Sequence, residues 1–207
     1  MSASRVAGIV LAAGRAERFG GELPKQLALF EGESLVRRAV RAALGAGLSE
    51  VIVVTGYRGK EVAAAVRDLP VRLVSSLRWA EGKASSIRSG LAALRPEVTA
   101  AIFLPCDQPR LDSAVIAALA EAHERSSSPM VVPIFRGQRG APVLFARRFF
   151  PELARLGAEQ GGRDLLERYP DEVAELILEA GEALEDVDTL EALEELEGRS
   201  LRLDSSS

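Results

Sequence analysis

The chain contains one cysteine and one histidine among its 207 residues, and this scarcity excludes several kinds of chemistry. Cys106 cannot form an internal disulfide, and the N-terminal segment lacks the apolar core of a signal peptide, so a cytoplasmic protein is predicted. His123 stands on a predicted helix some distance along the chain from Cys106, so no catalytic triad can be assembled. We therefore expect Cys106 to be a small buried residue and not a nucleophile.

Long apolar runs and basic runs are also absent. No window approaches the roughly 18 to 20 unbroken apolar residues that a membrane-spanning helix needs, so we expect a soluble protein with no membrane partner. The net charge of −4 and the pI near 5.3 argue against a nucleic-acid partner. Aromatic residues make up 5% of the chain and hydrophobic residues 47%, which favours a helix-covered sheet. The length predicts a single domain over residues 1–198, followed by a disordered tail at 199–207.

Short apolar runs alternate with longer helical patterns along most of the chain. Six runs are typical of β-strands, at residues 5–13, 50–56, 71–76, 100–106, 129–135 and 172–179. Four segments between them repeat apolar residues every three or four positions, as amphipathic helices do, at residues 33–47, 59–69, 82–94 and 111–124. This alternation predicts an α/β fold of the Rossmann-like three-layer α/β/α type, with a mainly parallel sheet.

Polar loops follow the first four predicted strands. Their sequences are "LAAGRAERFGG", "TGYRG", "SSLRWAEGKASS" and "PCDQPR". Because ligands of such sheets bind beyond the carboxyl ends of the strands, we expect all four loops to meet at one edge and to form the site there.

The first loop is rich in glycine and basic residues, in the stretch "LAAGRAERFGGELPKQ" at residues 11–26. It is not a P-loop, since no Gly-Lys-Ser/Thr follows Gly14 at the required spacing, and it is not the dinucleotide pattern G-x-G-x-x-G. Two interpretations remain open. The loop is either a backbone cradle in which Arg15, Arg18 and Lys25 neutralise phosphates, or an ordinary glycine-rich turn with solvated charges.

Carboxylates follow two of the predicted strands. Asp107 comes directly after an apolar strand, where an ionised group needs a partner such as Mg²⁺. The alternative is that Asp107 caps a helix, but Asp112 is already placed to cap the next helix. Asp186 and Asp188 alternate in "EDVDT", and Asp188 or Thr189 as a simple helix cap is the other interpretation. Carboxylates from distant segments at one edge would suit a hard cation that bridges phosphate oxygens.

The stretch "WAEGKASSIRSGLAAL" places polar groups at the start of a predicted helix. Gly82, Ser85, Ser86 and Arg88 bring N–H groups, hydroxyls and a cation there, which can hold a sugar or phosphate. Ser85 as an ordinary N-cap is equally compatible with the pattern.

Taken together, the ordered motifs "LAAG…RFGG…PKQ", "WAEGKASSIRSGL", "PCDQP", "RGAPVLF", "GGRDLL" and "DVDT" resemble one family of nucleotidyltransferases. It includes the molybdenum cofactor cytidylyltransferases and guanylyltransferases, and the resemblance runs from about residue 6 to residue 197. "PCDQP" and "EGKASSIRSGL" look closer to the CTP:molybdopterin cytidylyltransferase branch. The resemblance implies a sheet of the nucleotide-diphospho-sugar transferase type.

The activity that this resemblance implies is Mg²⁺-dependent transfer of CMP from CTP to the phosphate of a molybdopterin-type molybdenum cofactor, with release of pyrophosphate. A molybdoenzyme or its chaperone would be a further partner. Two alternatives stay open: a guanylyltransferase or other NTP transferase acting on a different phosphorylated acceptor, and a non-catalytic protein that binds the cofactor and delivers it to a molybdoenzyme.

Site roles follow from the resemblance together with the loop patterns. The nucleotide would be bound by Leu11, Ala12, Ala13, Gly14, Arg15, Lys25, Gly82, Ser85, Ser86 and Arg88. The catalytic residues would be Lys25, Arg18 and Asp107. The metal ligands would be Asp107 with Asp186 or Asp188. The acceptor would be bound by Gly140, Pro142, Gly161 and Arg163.

The chain departs from the family pattern at a few positions. Ala16 stands where a serine is common after the loop glycine, and Ala141 replaces the histidine usual in "RGHPVLF". Ala158 and Glu159 replace a Gly-Asp pair ahead of the second glycine motif. All but the first lie on the presumed acceptor side, so the resemblance supports the triphosphate half of the site better than the identity of the acceptor.

Overall fold

A computed structural model of the chain describes residues 5–16, 19, 24–158 and 160–204, and of residues 200–204 only the backbone. The strands are β1 (Val6–Ala12), β2 (Leu29–Phe30), β3 (Glu33–Ser34), β4 (Glu50–Thr55), β5 (Arg72–Ser75), β6 (Ala100–Pro105), β7 (Met130–Phe135), β8 (Gln138–Arg139), β9 (Val143–Ala146) and β10 (Val173–Ile177). The α-helices are α1 (Leu35–Gly45), α2 (Gly59–Ala65), α3 (Lys83–Ala92), α4 (Ser113–Ser126), α5 (Phe150–Arg155), α6 (Gly162–Arg168) and α7 (Leu190–Asp204).

Within the described residues, eight strands form the main sheet, in the order β10-β7-β9-β6-β1-β4-β5 with β8 paired to β7. The pairs of β1 with β4 and β6, of β4 with β5 and of β7 with β10 are parallel. Strand β9 runs antiparallel to both of its neighbours, β6 and β7. The carboxyl ends of β1, β4, β5 and β6 therefore lie at one edge of the sheet.

Alternating side chains of β1 face two different helical layers. Val6 and Val10 pack in one apolar cluster with α1, α2 and α4, whereas Ile9 packs in a second cluster with α3, α5 and α6. A strand buried on both faces is typical of parallel sheets covered by helices. The predicted three-layer α/β/α architecture is thereby confirmed.

All six predicted strands and all four predicted helices are present, with boundaries within a few residues of those expected. The sequence interpretation missed β9, the strand that separates β6 from β7. Its residues lie in a segment that was interpreted only as a motif, "RGAPVLF", and not as part of the sheet. Among the described residues, β9 and the two-residue strand β8 both pair antiparallel with β7, in an otherwise parallel sheet.

The C-terminal helix covers a third apolar cluster, formed by Phe19, Ala28, Phe30, Leu35, Val187, Leu193 and Leu196. We expected a tail to begin at residue 199, but α7 continues to Asp204. Leucine and arginine are good helix formers, which extends the helical pattern past Gly198. Among the described residues, no helix combines the length and the apolar character needed to cross a membrane.

Candidate active site

A cavity of about 730 Å³ opens at the carboxyl edge of β1 and β6, beside the first turn of α3. The predicted site residues that line it are Leu11, Ala13, Gly14, Arg15, Lys25, Gly82, Ser86, Asp107 and Asp188. The loop after β4 joins the same edge, because the N–H of Tyr57 donates to the carbonyl oxygen of Ala13 over 3.0 Å. The expected meeting of four strand-end loops is confirmed.

Lys25 lies at the centre of the polar wall. Its Nζ is 3.1 Å from Oδ2 of Asp107 and 3.2 Å from Oδ1 of Asp188. Only 7% of the residue is exposed, so two carboxylates compensate an ammonium that is nearly withdrawn from water. The carboxylate side chains themselves remain 33% and 56% exposed and face the opening. The arrangement is a cation held between two anions at the mouth of a cavity.

A short 3₁₀ helix, Lys25–Leu27, positions the lysine. The neighbouring Gln26 is buried, and its Nε2 donates to the carbonyl oxygen of Gly14 over 2.7 Å, tying this helix to the glycine loop. The ammonium also lies 5.9 Å from the ring centroid of Phe19. Gln26 was not among the predicted site residues, although its place next to Lys25 in "PKQ" is the signal that points to it.

Asp107 reaches Lys25 from the middle of the chain, and Asp188 reaches it from the C-terminal part. Asp107 follows β6, and its backbone carbonyl accepts a 2.8 Å hydrogen bond from the N–H of Val187. That bond holds the "EDVDT" segment against the strand end, one residue before Asp188. Asp112 caps α4 by accepting from the N–H of Val115, as expected, which leaves Asp107 for the cavity.

Asp186 does not contact Lys25. Partial burial raises the pKa of its carboxyl, and the negative charge of Asp107 adds to that rise. Of the two alternating carboxylates, the structure brings Asp188 to the lysine and leaves Asp186 beside Gln108.

The first turn of α3 and the preceding loop build another part of the wall. Gly82 has a φ of 106°, a conformation that disfavours side chains, and a Cβ there would overlap the carbonyl oxygen of Ala158. The loop and the turn around Ala158 therefore pack backbone to backbone. Ser86 lies one turn into the helix and faces the cavity.

Trp79 is a cavity-lining residue that sequence reasoning missed. Its ring packs against that of Tyr57 with centroids 5.5 Å apart, and the guanidinium of Arg15 lies 5.6 Å from the Tyr57 centroid. Gly56 makes this possible, since a Cβ there would sit 2.6 Å from the Cβ of Trp79. The signal available in the sequence was the only tryptophan of the chain, placed in a strand-end loop.

Other predicted site residues lie away from the cavity. The side chain of Ala12 is buried in the core, Ser85 donates to the carbonyl oxygen of Gly82, and Arg88 donates to that of Leu156. The cavity wall also excludes the predicted acceptor residues Gly140, Pro142, Gly161 and Arg163. Arg18 falls outside the described residues. The binding roles of these residues stay predictions.

The sequence predicted that Cys106 is a small buried residue and not a nucleophile, and the structure shows the burial. Cys106 is buried, and burial raises the pKa of its thiol strongly, with the charge of Asp107 adding to the effect. The thiolate is the nucleophilic form, so burial disfavours a nucleophilic role for Cys106. His123 contacts the carbonyl oxygen of Ser128 at the end of α4, away from the cavity.

The donor set suits a divalent cation that shares its coordination with a ligand. Asp107 and Asp188 provide hard carboxylate oxygens, and Mg²⁺ commonly takes one or two carboxylates together with phosphate oxygens and waters. In the described parts of the chain, no three His, Cys, Asp or Glu side chains are grouped as a complete metal site. The residues therefore fit a cation that is coordinated partly by a phosphate-bearing ligand better than a cation that is coordinated by protein side chains alone.

Comparison with known proteins decides the family. Residues 8–173 match the model of the MobA-like NTP transferase domain. The chain belongs to this family. It is accordingly a nucleotidyltransferase, and nucleoside triphosphates are its general substrate class. A probable molybdenum cofactor guanylyltransferase from Chloroflexus aggregans is 36% identical over 118 residues, which cover 56% of this chain and 52% of that protein.

Two further relatives match over nearly the whole chain. Nicotine blue oxidoreductase from Paenarthrobacter nicotinovorans is 30% identical over 199 residues, covering 91% of this chain and 94% of that protein. The crystal structure of Rv0371c from Mycobacterium tuberculosis H37Rv superposes with a TM-score of 0.83 at 30% identity, covering 95% of this chain and all of that one. Rv0371c has also been solved in complex with manganese; that structure has a TM-score of 0.78 at 27% identity and covers 93% of this chain and 98% of that one.

Proposed function

We propose that this nucleotidyltransferase transfers CMP from CTP to the phosphate of a molybdopterin-type molybdenum cofactor and releases pyrophosphate. The observation that carries the proposal is Lys25 held between Asp107 and Asp188 at the mouth of a strand-end cavity. The same wall carries the Gly14 loop, whose open backbone leaves space for a ligand, since a Cβ at Gly14 would meet nothing within 4 Å.

The proposed reaction needs positioning and charge neutralisation and no covalent intermediate. An oxygen of the acceptor phosphate forms a bond to the α-phosphorus of CTP, while the bond from that phosphorus to the bridging oxygen of the β-phosphate breaks. The electron pair leaves with pyrophosphate, whose new charge Lys25 and Arg15 are placed to neutralise. An acceptor phosphate is already deprotonated, so a site with a buried Cys106 and a distant His123 can still be catalytic.

Asp107 and Asp188 would hold Mg²⁺ in this proposal. A cation held by these carboxylates would supply positive charge to phosphate oxygens. Lys25 touches both carboxylates, so its ammonium would then turn towards the triphosphate. Support for a divalent cation comes from the two hard ligands at one opening and from the manganese complex of Rv0371c.

The choice of CTP rests on sequence motifs. "PCDQP" and "EGKASSIRSGL" resemble the cytidylyltransferase branch, whereas the Chloroflexus relative is a probable guanylyltransferase. The test is pyrophosphate release with each of the four nucleoside triphosphates, with and without molybdenum cofactor. We expect CTP to exceed GTP by at least about tenfold in kcat/KM, a gap of roughly 1.4 kcal/mol that a few base contacts can supply. Equal or better use of GTP would assign the protein to the other branch.

The breadth of one match favours a second candidate, an oxidoreductase activity. Nicotine blue oxidoreductase aligns with 91% of this chain, against 56% for the guanylyltransferase. The Gly14 loop lacks the dinucleotide pattern G-x-G-x-x-G, which speaks for nucleotidyl transfer. If the protein oxidises NADH or NADPH in the presence of a dye acceptor and releases no pyrophosphate from any triphosphate, the oxidoreductase activity would replace nucleotidyl transfer as the first candidate.

Two other outcomes of the same assay are informative. Turnover with GTP or with another phosphorylated acceptor would keep the chemistry and change the substrate. Tight binding of molybdenum cofactor with no turnover would indicate a protein that delivers the cofactor to a molybdoenzyme or its chaperone.

A further inference from the structure

We propose that Gln108 is a positioning residue that selects which carboxylate of "EDVDT" reaches Lys25. By engaging Asp186, its amide leaves Asp188 to contact the ammonium and to hold, with Asp107, a divalent cation. This inference rests on the proposed metal-dependent nucleotidyl transfer, and it adds a residue that touches neither substrate nor cation and acts through another side chain.

Two aspartates of this segment are close enough to compete for the same place. Asp186 and Asp188 flank Val187, which is 1% exposed and belongs to the third apolar cluster, whereas both aspartates are exposed. Burial raises the pKa of the Asp186 carboxyl most, and the charges of Asp107, Asp188 and the ammonium also act on it. Asp186 therefore lies within electrostatic reach of Lys25, although it is Asp188 that contacts the ammonium.

The contacts of Gln108 lead to the same segment. This residue follows Asp107 in the loop after β6 and is 3% exposed. Its Nε2 donates to the carbonyl oxygen of Leu184 over 3.3 Å. The amide also donates to the carboxyl of Asp186, which partly offsets the rise in the pKa of that group. An amide nitrogen carries two N–H donors, so it can serve both acceptors. Gln108 thus holds the chain just before "EDVDT" and the first aspartate within it.

The other half of the amide gives no reason for a glutamine at this place. Oε1 of Gln108 is buried and has no hydrogen-bond partner among the described residues. A buried oxygen without a partner destabilises a fold, and an apolar side chain of similar size, such as methionine, would avoid that loss. The two donated hydrogen bonds are therefore what the glutamine supplies. Both go to the part of the chain that carries the competing aspartates.

Other residues of the same loop hold this segment in a different way. The backbone carbonyl of Asp107 accepts from the N–H of Val187 over 2.8 Å, and the guanidinium of Arg110 lies 3.6 Å from the carboxylate of Glu182. These contacts fix the backbone and the flank of the segment. Gln108, in contrast, engages one of the two aspartate carboxylates itself, so the choice between them is assigned to this residue.

The test asks which aspartate a divalent cation depends on, with and without the Gln108 amide. Electron paramagnetic resonance of free Mn²⁺ gives the dissociation constant for protein saturated with a non-hydrolysable CTP analogue. Asp188→Asn and Asp186→Asn are measured in the wild type and together with Gln108→Met, which keeps the size of the side chain and removes both donors. Gln138→Met, at an exposed glutamine of β8, is the matched control, because it lies outside the cavity wall that the described residues form.

With Gln108 in place, Asp188→Asn should weaken Mn²⁺ binding about tenfold or more, and Asp186→Asn less than about threefold. In Gln108→Met, the released Asp186 can replace Asp188, so the loss on Asp188→Asn should fall below about threefold. Adding Asp186→Asn to that double variant should restore the loss to about tenfold or more. In Gln138→Met, the two aspartates should behave as in the wild type. A residue that only stabilised the fold would not transfer the dependence from one aspartate to the other.

Two results with Mn²⁺ would overturn the inference. An equal loss on Asp188→Asn with and without Gln108→Met would show that the amide selects nothing. Equal losses on Asp186→Asn and Asp188→Asn in the wild type would show that both aspartates serve the cation. If thermal unfolding shows that Gln108→Met does not fold, Gln108→Glu replaces it. That side chain keeps the shape and lacks the N–H donors, and its charge repels Asp186, so the same transfer of dependence is expected.

A measurement without metal separates this inference from the proposed function. The coupling free energy between Lys25 and Asp188 is obtained from denaturant unfolding of Lys25→Met, Asp188→Asn and the double variant. We expect this coupling to be smaller when Gln108→Met is also present, because Asp186 then shares the ammonium; an unchanged coupling contradicts the positioning role. If the analogue-saturated wild type binds no Mn²⁺ while the coupling still depends on Gln108, the positioning role is supported and metal-dependent nucleotidyl transfer is contradicted.

Discussion

At the scale of single residues, Lys25 joins parts of the chain that are far apart. It lies 82 residues from Asp107 and 163 residues from Asp188, and both carboxylates touch its ammonium. Both carboxylates contact the same ammonium, and both have the same proposed task, the binding of a divalent cation.

Asp107→Asn and Asp188→Asn should each lower turnover by orders of magnitude while the fold is retained. The amide keeps the volume but loses the charge that would anchor Mg²⁺. Steady-state rates at saturating Mg²⁺ measure the effect, and thermal unfolding checks the fold. Asp171→Asn, an exposed carboxylate elsewhere on the surface, is the control. Near-normal turnover of Asp107→Asn would remove this residue from the mechanism.

Asp186 should make stability depend on pH in the direction opposite to an ordinary ion-paired aspartate. Burial and the charge of Asp107 raise its pKa above 3.8, so the folded protein binds this proton more tightly than the unfolded chain does. The free energy of unfolding contributed by this group therefore falls as pH rises from 3.8 through the raised pKa. Asp186→Asn should stabilise the protein at pH 7, by less than about 1 kcal/mol because the carboxyl is partly exposed.

Denaturant unfolding of wild type and Asp186→Asn at pH 3 and pH 7 measures this difference. The advantage of the variant should be smaller at pH 3, where both side chains are neutral. A variant that is less stable than wild type at pH 7 would show that Asp186 gains more from Gln108 than it loses by burial.

At the scale of elements, the start of α3 packs closely against Ala158. Gly82→Ala should destabilise the protein by about 1 to 3 kcal/mol, because its φ of 106° disfavours a side chain and a Cβ would overlap the carbonyl oxygen of Ala158. Gly137→Ala is the matched control: its φ is 76°, and a Cβ there would meet open space. Thermal or denaturant unfolding should show the larger loss for Gly82→Ala, and equal losses would mean that the close packing at Ala158 adds nothing.

Elements also differ in how far the sequence reveals them. Strands β1, β4, β6 and β7 are apolar runs of six or seven residues, and each was predicted. Strand β9 is four residues long and was missed. Strand β9 forms hydrogen bonds with both β6 and β7, so its place in the sheet depends on strands that are distant in the sequence.

At the scale of the whole molecule, the cluster of Lys25, Asp107 and Asp188 forms only when the N-terminal and C-terminal parts of the chain pack together. The ammonium lies between the two carboxylates, where we propose that a divalent cation binds. A cation in that place would be repelled by the ammonium until a triphosphate draws the lysine away. Metal and nucleotide should therefore assist one another's binding, and by linkage the assistance is reciprocal.

Lys25→Met tests this coupling. Without nucleotide, Mn²⁺ should bind the variant about tenfold or more tightly than the wild type, because the competing ammonium is gone and both carboxylates remain. The gain in Mn²⁺ affinity on adding a non-hydrolysable CTP analogue should be smaller in the variant. Electron paramagnetic resonance of free Mn²⁺ measures both constants. Unchanged or weaker Mn²⁺ binding to the variant would show that the two cations do not compete.

The sequence by itself determined the α/β architecture, the edge at which the loops meet and most of the residue types at the site. These properties follow from periodic burial and from loop chemistry, which are local and can be read within a few residues. It also identified Lys25 and Asp107 as members of one site.

Tertiary structure alone decided which groups meet. "EDVDT" offers two carboxylates of equal chemistry, and the hydrogen bond from Val187 to Asp107 turns Asp188 to Lys25 and leaves Asp186 beside Gln108. Likewise, the close packing of Ala158 on Gly82 joins the start of α3 to a segment more than 70 residues away in the chain. Contacts between segments so distant in the chain depend on how the layers pack, and no local pattern encodes that outcome.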